Sequence, residues 1–222
     1  MVKETMSRKT ENTRNLLLIT AGELFGSLGY DSVSTRMIAE KAGVKLSSIH
    51  YHFGSKENLY LEAFSWAKHH GARSTLQDVM NENPSLADTK EGQAEIIRTA
   101  VFRRFHEYFN PERPLWEIQI LLREVVSPSS ALPVLTEKLF KPEVEATESF
   151  FWLVKPKGSV HEAYAWGDMF HSLLFFYTMT KEPRELIRGK DDMSREFVLA
   201  AARNLSRAMI LVLDLPLPKD LQ

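Results

Sequence analysis

The stretch Thr35–Lys56, TRMIAEKAGVKLSSIHYHFGSK, decides how this chain is read. It spells two short helices joined by a tight turn. Thr35 is placed to cap the first helix, its hydroxyl accepting a bond from an unpaired N–H of the first turn. Arg36 to Ala42 continues that helix, with Ile38 and Ala42 on one face at i, i+4 spacing. Ala39 is small enough for a second helix to cross closely. Gly43 follows, where a left-handed φ costs glycine nothing, and Val44 turns the chain back inward. The second helix begins near Leu46 or Ser47 and ends at about Phe53. On a helical wheel Ile49 and Phe53 share the buried side. Ser47, Ser48 and Tyr51 then face outward, with His50 and His52 on the flanks. Two hydroxyls, a phenol and imidazoles donate and accept hydrogen bonds with almost no charge, which suits base edges in a major groove. The pattern is that of a helix-turn-helix whose second helix enters the groove. Ser55 caps the following helix. Lys56 sits in its first turn, where the helix dipole disfavours a cation unless an anion such as a DNA phosphate is near.

Working outward, residues 14–64 resemble the N-terminal domain of TetR-family transcriptional regulators. The resemblance is carried by an amphipathic first helix ending at Gly29-Tyr30, then Ser34-Thr35, Ile38-Ala39 and Ala42-Gly43-Val44. It continues through Tyr51-His52-Phe53, Ser55-Lys56-Glu57 and Leu59. The chain departs from the family at His50, where the family commonly has Tyr. The segment LLREVVSPSSAL, Leu121 to Leu132, resembles the C-terminal domain of the CecR-type subset of the same family. These resemblances imply a homodimeric regulator, usually a repressor, released from its operator by a small ligand.

Composition sets the bounds. The 222 residues are 44% hydrophobic, enough for a buried core in one large or two smaller units. There is no cysteine, which excludes disulfides and thiolate sites. The sequence has no apolar run of membrane-spanning length, and MVKETMSRKTENTR lacks the apolar segment of a signal peptide. A cytoplasmic location is expected. The formal net charge of −1 hides an asymmetry: residues 1–56 carry 8 Lys or Arg against 5 Asp or Glu, and the remainder carries 20 against 24. The basic part holds the reading helix. Its excess is small, so useful affinity at physiological salt requires two heads.

Residues 1 to about 10 are polar, with Lys3, Arg8 and Lys9, and read either as a disordered tail or as a basic arm for phosphates or a minor groove. A helix is expected from about Asn12 to Leu28, with Leu17, Ala21, Leu24, Phe25 and Leu28 as its stripe. Another is expected from Ser55 to just before Pro84, shared between the head and the remainder and so able to transmit a shift. Its adjacent His69 and His70 point apart and read as surface residues. A polar loop (81–92) leads to a helix over about 91–109 with Ile97, Val101 or Phe102, Phe105 and Phe109 on one face. The next helix starts near Pro114, tolerated in a first turn, and runs to Ser127-Pro128. It is apolar around most of its circumference. Its Arg123 needs a partner: Glu124, another helix, or an anionic ligand. Helices follow at about 130–154, 160–180 and 194–213, with a charged connection at 181–193.

The expected fold is all-α: a helix-turn-helix domain over residues 10–56, and a larger helical domain over 57–215 for ligand binding and dimerisation. Residues expected to face DNA are Thr35, Arg36, Lys45, Ser47, Ser48, His50, Tyr51, His52 and Lys56. Two apolar faces on the 160–180 helix predict two packing partners, one a second subunit. The interface candidates are Ala163, Trp166, Gly167, Phe170, Ala201, Leu205, Ala208 and Val212. For an apolar or aromatic effector the candidates are Phe102, Phe105, His106, Phe109, Trp116, Arg123, Phe150, Trp152, Tyr164, Phe170 and His171. The expected partners are a palindromic duplex operator, the effector and a second copy of the chain, without a membrane. A second function class, an enzyme built on Glu107 with His106 or His171, finds no nucleophile elbow, HExxH or glycine-rich phosphate loop to support it. No catalytic residue, cofactor or metal is expected. A third reading is a helical assembly protein with a vestigial DNA-binding head.

Overall fold

The computed structural model describes residues 2–69, 74–189 and 193–222, with side chains from residue 10 onward except that of His69. The His69–His70 pair and the side chains of Lys3, Arg8 and Lys9 therefore lie outside the described residues. Among the described residues the α-helices are, in order, α1 (Val2–Leu28), α2 (Thr35–Ala42), α3 (Leu46–Phe53), α4 (Lys56–His69), α5 (Leu76–Glu82), α6 (Lys90–Tyr108), α7 (Leu115–Val126), α8 (Leu132–Leu135), α9 (Lys141–Val154), α10 (Val160–Met179), α11 (Lys181–Arg188) and α12 (Arg195–Val212). A 3₁₀ turn spans Pro84–Asp88 and a π turn Thr136–Phe140. The fold is all-α, and no strand occurs among the described residues. The chain forms two compact units, Met1–His70 with Pro114–Leu139, and Gly71–Arg113 with Phe140–Gln222.

In the first unit, α1 buries Leu17, Leu18, Ala21 and Phe25, whereas Leu28, expected in the stripe, is exposed. The backbone of α1 is helical from Val2, ten residues before the expected start at Asn12. The polar opening has no apolar face, so periodicity alone gave no helix there. At Gly22 and Gly26 α1 presents no side chain, and the Trp116 ring of α7 lies against Gly22 while the α7 backbone lies against Gly26. A Cβ at Gly22 would overlap the ring, and one at Gly26 would come 3.0 Å from the Trp116 carbonyl oxygen. The glycines thus let α7 cross α1 at backbone distance.

α7 is fastened to α1 and α4 by its own polar groups. Arg123, whose partner was left open above, donates to the carbonyls of Gly26 at 2.9 Å and Ser27 at 2.7 Å, satisfying the end of α1. Glu124 is buried and accepts from the Tyr60 hydroxyl at 2.6 Å and from the Ser129 backbone N–H at 3.0 Å. Burial first, then the Glu124 carboxylate, push the Tyr60 phenol far above its ordinary range. The nearby Glu117, also buried, accepts from the Trp66 indole at 3.1 Å.

The single helix expected from Ser55 to Pro84 is instead two. α4 ends at His69, and α5 starts afresh from a capping box in which Thr75 and Asp78 exchange hydrogen bonds. The Thr75–Asp78 pair, at capping-box spacing, was the unread signal. Among the described residues no continuous helix spans 55–83.

The second unit is built around α6, α10 and α12. Ile96, Ile97, Ala100, Val101 and Phe105 of α6 are buried, as are Ala163, Trp166, Phe170 and Leu174 of α10 and Ala201, Ala202, Leu205 and Met209 of α12. The Trp166 indole donates to the Met209 carbonyl at 3.0 Å and stacks on Phe150 of α9. Among the described residues no helix is long and apolar enough to cross a membrane.

Candidate functional site

The reading pair is held by local chemistry. Ser34, not Thr35, caps α2: its hydroxyl accepts from the Met37 N–H at 3.1 Å, and Thr35 is the first helical residue. The capping logic holds, shifted by one position. Gly43 ends α2 with φ 66° and ψ 29°. The Val44 N–H reaches back to the Ala39 carbonyl at 3.0 Å and Gly43 to Glu40 at 3.2 Å. This paired closure, with an apolar residue just beyond, fixes the turn angle. Ile38, Ala39, Ile49 and Phe53 are buried beneath the pair.

Burying Ile49 and Phe53 forces the opposite side of α3 outward. Tyr51 is 78% exposed, Ser47 and His50 are exposed, and Ser48 and His52 are half-buried. Leu46, at 44% exposure, adds an apolar contact to this face. The Nδ1 of His50 lies 3.1 Å from the Gly54 carbonyl. A carbonyl only accepts, so Nδ1 carries the proton in this contact. The Tyr51 and His52 rings meet edge-on at 4.9 Å, which orients the phenol.

Around this face stand Arg36 and Lys45, both exposed. Arg36 is paired along α2 with Glu40 at 2.8 Å. Ser55 caps α4 as expected, accepting from the Asn58 N–H at 3.0 Å. Lys56 is half-buried with its ammonium 4.1 Å over the Tyr30 ring. Burial lowers its pKa, and the nearby Asp31 charge opposes that shift. Asp31 is held below the ordinary aspartate range, first by the Ser130 hydroxyl and then by the Ser130 N–H. The α7–α8 connection thus touches the turn before α2, a contact that the isolated SPSS string did not suggest.

The second unit contains a cavity of about 310 Å³ between α6 and α12. Phe102, Phe105, His106 and Phe109 line one side, continuing into Asn110 and Pro111. Met193, Arg195, Val198, Leu199 and Ala202 line the other. Behind it Phe105, Phe109, Tyr177 and Phe197 form a chain of edge-to-face rings 5.3–6.4 Å apart. Four of the eleven expected effector residues meet here. The other seven are elsewhere. Trp116 and Arg123 serve α1, Phe150 and Phe170 are core, and Tyr164 is exposed. Trp152 is half-buried on α9, packed edge-on against Phe151. His171 accepts from Arg104 at 3.1 Å, beside the ion pair that Arg104 makes with Glu143 at 2.7 Å. Met193 and Arg195 were missed because they follow a charged connection with no aromatic pattern.

The interface candidates also need relocating. Ala163, Trp166, Gly167, Phe170, Ala201 and Leu205 are buried within the protomer, Ala208 is half-buried, and Val212 is exposed. Gly167 faces Thr147 of α9, and a Cβ there would stand at an ordinary contact distance of 3.6 Å. On the outward side of α10 lie Tyr164 and Phe176, and on that of α12 Leu211 and Val212, each between 45% and 54% exposed.

Residues 17–63 match the model of the family described as bacterial regulatory proteins, tetR family. Over 145 residues, 64% of this chain, the sequence is 27% identical to the HTH-type transcriptional dual regulator CecR of Shigella flexneri. Over 87 residues, 39% of this chain, it is 33% identical to the HTH-type transcriptional repressor AcnR of Corynebacterium glutamicum. These matches span 64% and 43% of the two relatives' lengths, less than two thirds of either. The fold is similar to that of NalD of Pseudomonas aeruginosa, the secondary repressor of the MexAB-OprM multidrug efflux pump. The TM-score is 0.62 at 18% identity, over 91% of this chain and 97% of that one.

Proposed function

We propose that this chain, which belongs to the TetR family of regulatory proteins, is a DNA-binding transcriptional regulator whose hold on its operator is set by a small apolar or aromatic effector. The observation that carries the reading is the face of α3. Its apolar side is locked inward, and Ser47, His50 and Tyr51 are presented to solvent. Those groups match the donor and acceptor pattern of base edges. Arg36, Lys45 and Lys56, with Thr35, Ser48 and His52, serve phosphates and register. Residues 10–56 act as the head, and 57–215 supply effector binding and dimerisation.

Two heads are needed, because a single one carries little net positive charge. The outward residues Tyr164, Phe176, Leu211 and Val212 are the surface that a second copy covers, building a four-helix contact from α10 and α12 of each protomer. Two α3 helices then enter successive major grooves, about 34–36 Å apart, of a palindromic site. A repressor fits best; the name of one similar protein, a dual regulator, keeps activation within the same design. The location is cytoplasmic, where the operator is.

The test is a gel shift with DNA flanking the chain's own gene, followed by titration of candidate effectors. A retarded band that a subset of compounds releases is the expected result. Unaltered DNA mobility at low salt would count against a reading head and favour an assembly role for the helical scaffold.

A further inference from the structure

The cavity between α6 and α12 has walls that discriminate by charge. Its body is apolar, with Phe102, Phe105 and Phe109 on the α6 side. Among the described residues its polar lining is Asn110, His106 and Arg195, without a carboxylate. Asn110 uses its side-chain oxygen on the Glu112 N–H at 3.0 Å, which leaves the amide NH₂ to donate. His106 is exposed at the rim. Arg195 also stands at the rim and, among the described residues, has no ion-pair partner. It occupies the first position of α12, capped by Ser194, where the helix dipole already repels a cation. A guanidinium, an amide NH₂, an imidazole and the first turn of α12 therefore line the same aromatic slot.

We infer that this cavity binds a monoanionic aromatic acid, its ring against Phe102, Phe105 and Phe109 and its carboxylate on Arg195, His106 and Asn110. A planar carboxylate matches the guanidinium fork. The volume lies at the small end of ligand pockets, which suits one ring and a short acid tail. Among the described lining residues a cationic aromatic finds no counter-charge, and it would meet Arg195. Any effect of such an acid on DNA rests on the regulator reading above, whereas the binding chemistry is read from the cavity alone.

Cinnamate and its neutral analogue cinnamyl alcohol, titrated calorimetrically into the full chain, test the assignment. Cinnamate should bind once per chain and the alcohol about tenfold or more weaker, because the charge-assisted bonds are lost. Raising the salt should weaken the acid and leave the alcohol unchanged. Arg195→Gln, an exposed change that leaves the core intact, should bring the acid down to the alcohol's affinity. Equal affinities for the two compounds, an unaltered acid affinity in Arg195→Gln, or no binding of either would overturn the inference. Adding cinnamate to the DNA complex separates the two readings. If the acid binds as described but the chain retains no DNA, the cavity assignment stands and the regulator reading falls. Release of DNA by neutral compounds alone would do the reverse.

Discussion

The α1–α7 pair and the α6–α12 pair both set aromatic side chains between two helices, with opposite results. In the first, Gly22 and Gly26 withdraw to admit Trp116, and the space closes down to backbone contact. In the second, Phe102, Phe105 and Phe109 face Val198, Leu199 and Ala202, and about 310 Å³ stays open. The polar groups differ in the same sense. On α7, Arg123 and Glu124 each satisfy specific backbone or hydroxyl partners. At the α6–α12 cavity, Arg195 stands at the rim with no such engagement among the described residues. A closed, satisfied contact transmits force, whereas an open slot with spare donors accommodates a ligand.

The contrast breaks first at Trp116. Trp116→Ala removes the ring that fills the glycine gap and should cost about 3–5 kcal/mol in urea unfolding. A smaller loss would mean that the α1–α7 contact is not close-packed. Gly22→Ala approaches the same contact from the other side. Its added methyl overlaps the ring and should cost about 1–3 kcal/mol, although alanine is the better helix former. Enlarging a side chain at the open pair should behave differently. Val198→Leu adds a methylene where there is room and should change stability by less than about 1 kcal/mol. A cost equal to that of Gly22→Ala would show the slot to be closed in solution.

A smaller effect sharpens the account of the first unit. Asp31 is held below its ordinary pKa chiefly by Ser130. Its folded value is depressed, so its contribution to stability is complete above the unfolded value and is lost as pH falls through the folded one. Asp31→Asn should remove that acid-side limb from a stability-versus-pH curve and leave the neutral region nearly flat. An unchanged acid limb would assign it to other carboxylates.

Much of this was legible in the residues. The turn between α2 and α3 announces itself, because Gly43 is needed for the left-handed closure and Ile38, Ile49 and Phe53 leave one way to bury the pair. Capping was legible to within one residue, since Ser34 and Thr35 are both competent. What stayed hidden depends on which neighbour a face meets. Trp116 and Arg123 carry the same apolar and charged character whether they line a cavity or grip α1, and only the glycine gap and the carbonyls of Gly26 and Ser27 decide. Gly167 was read as room for a second subunit, but it is buried within the protomer facing Thr147. The break between α4 and α5 was hidden for a related reason. The new start needs Thr75 and Asp78 to exchange hydrogen bonds, which apolar spacing does not register.

The central claim is that the outward face of α3 reads DNA, and Tyr51, its most exposed aromatic group, tests it most directly. The measurement is fluorescence anisotropy of the intact protein and of Tyr51→Ala on the flanking operator DNA and on a scrambled duplex, at one salt concentration. The account predicts that the variant loses about 1–3 kcal/mol of preference for the operator, with unchanged thermal stability, because the side chain supports no core contact. Undiminished preference in a folded Tyr51→Ala protein would contradict it.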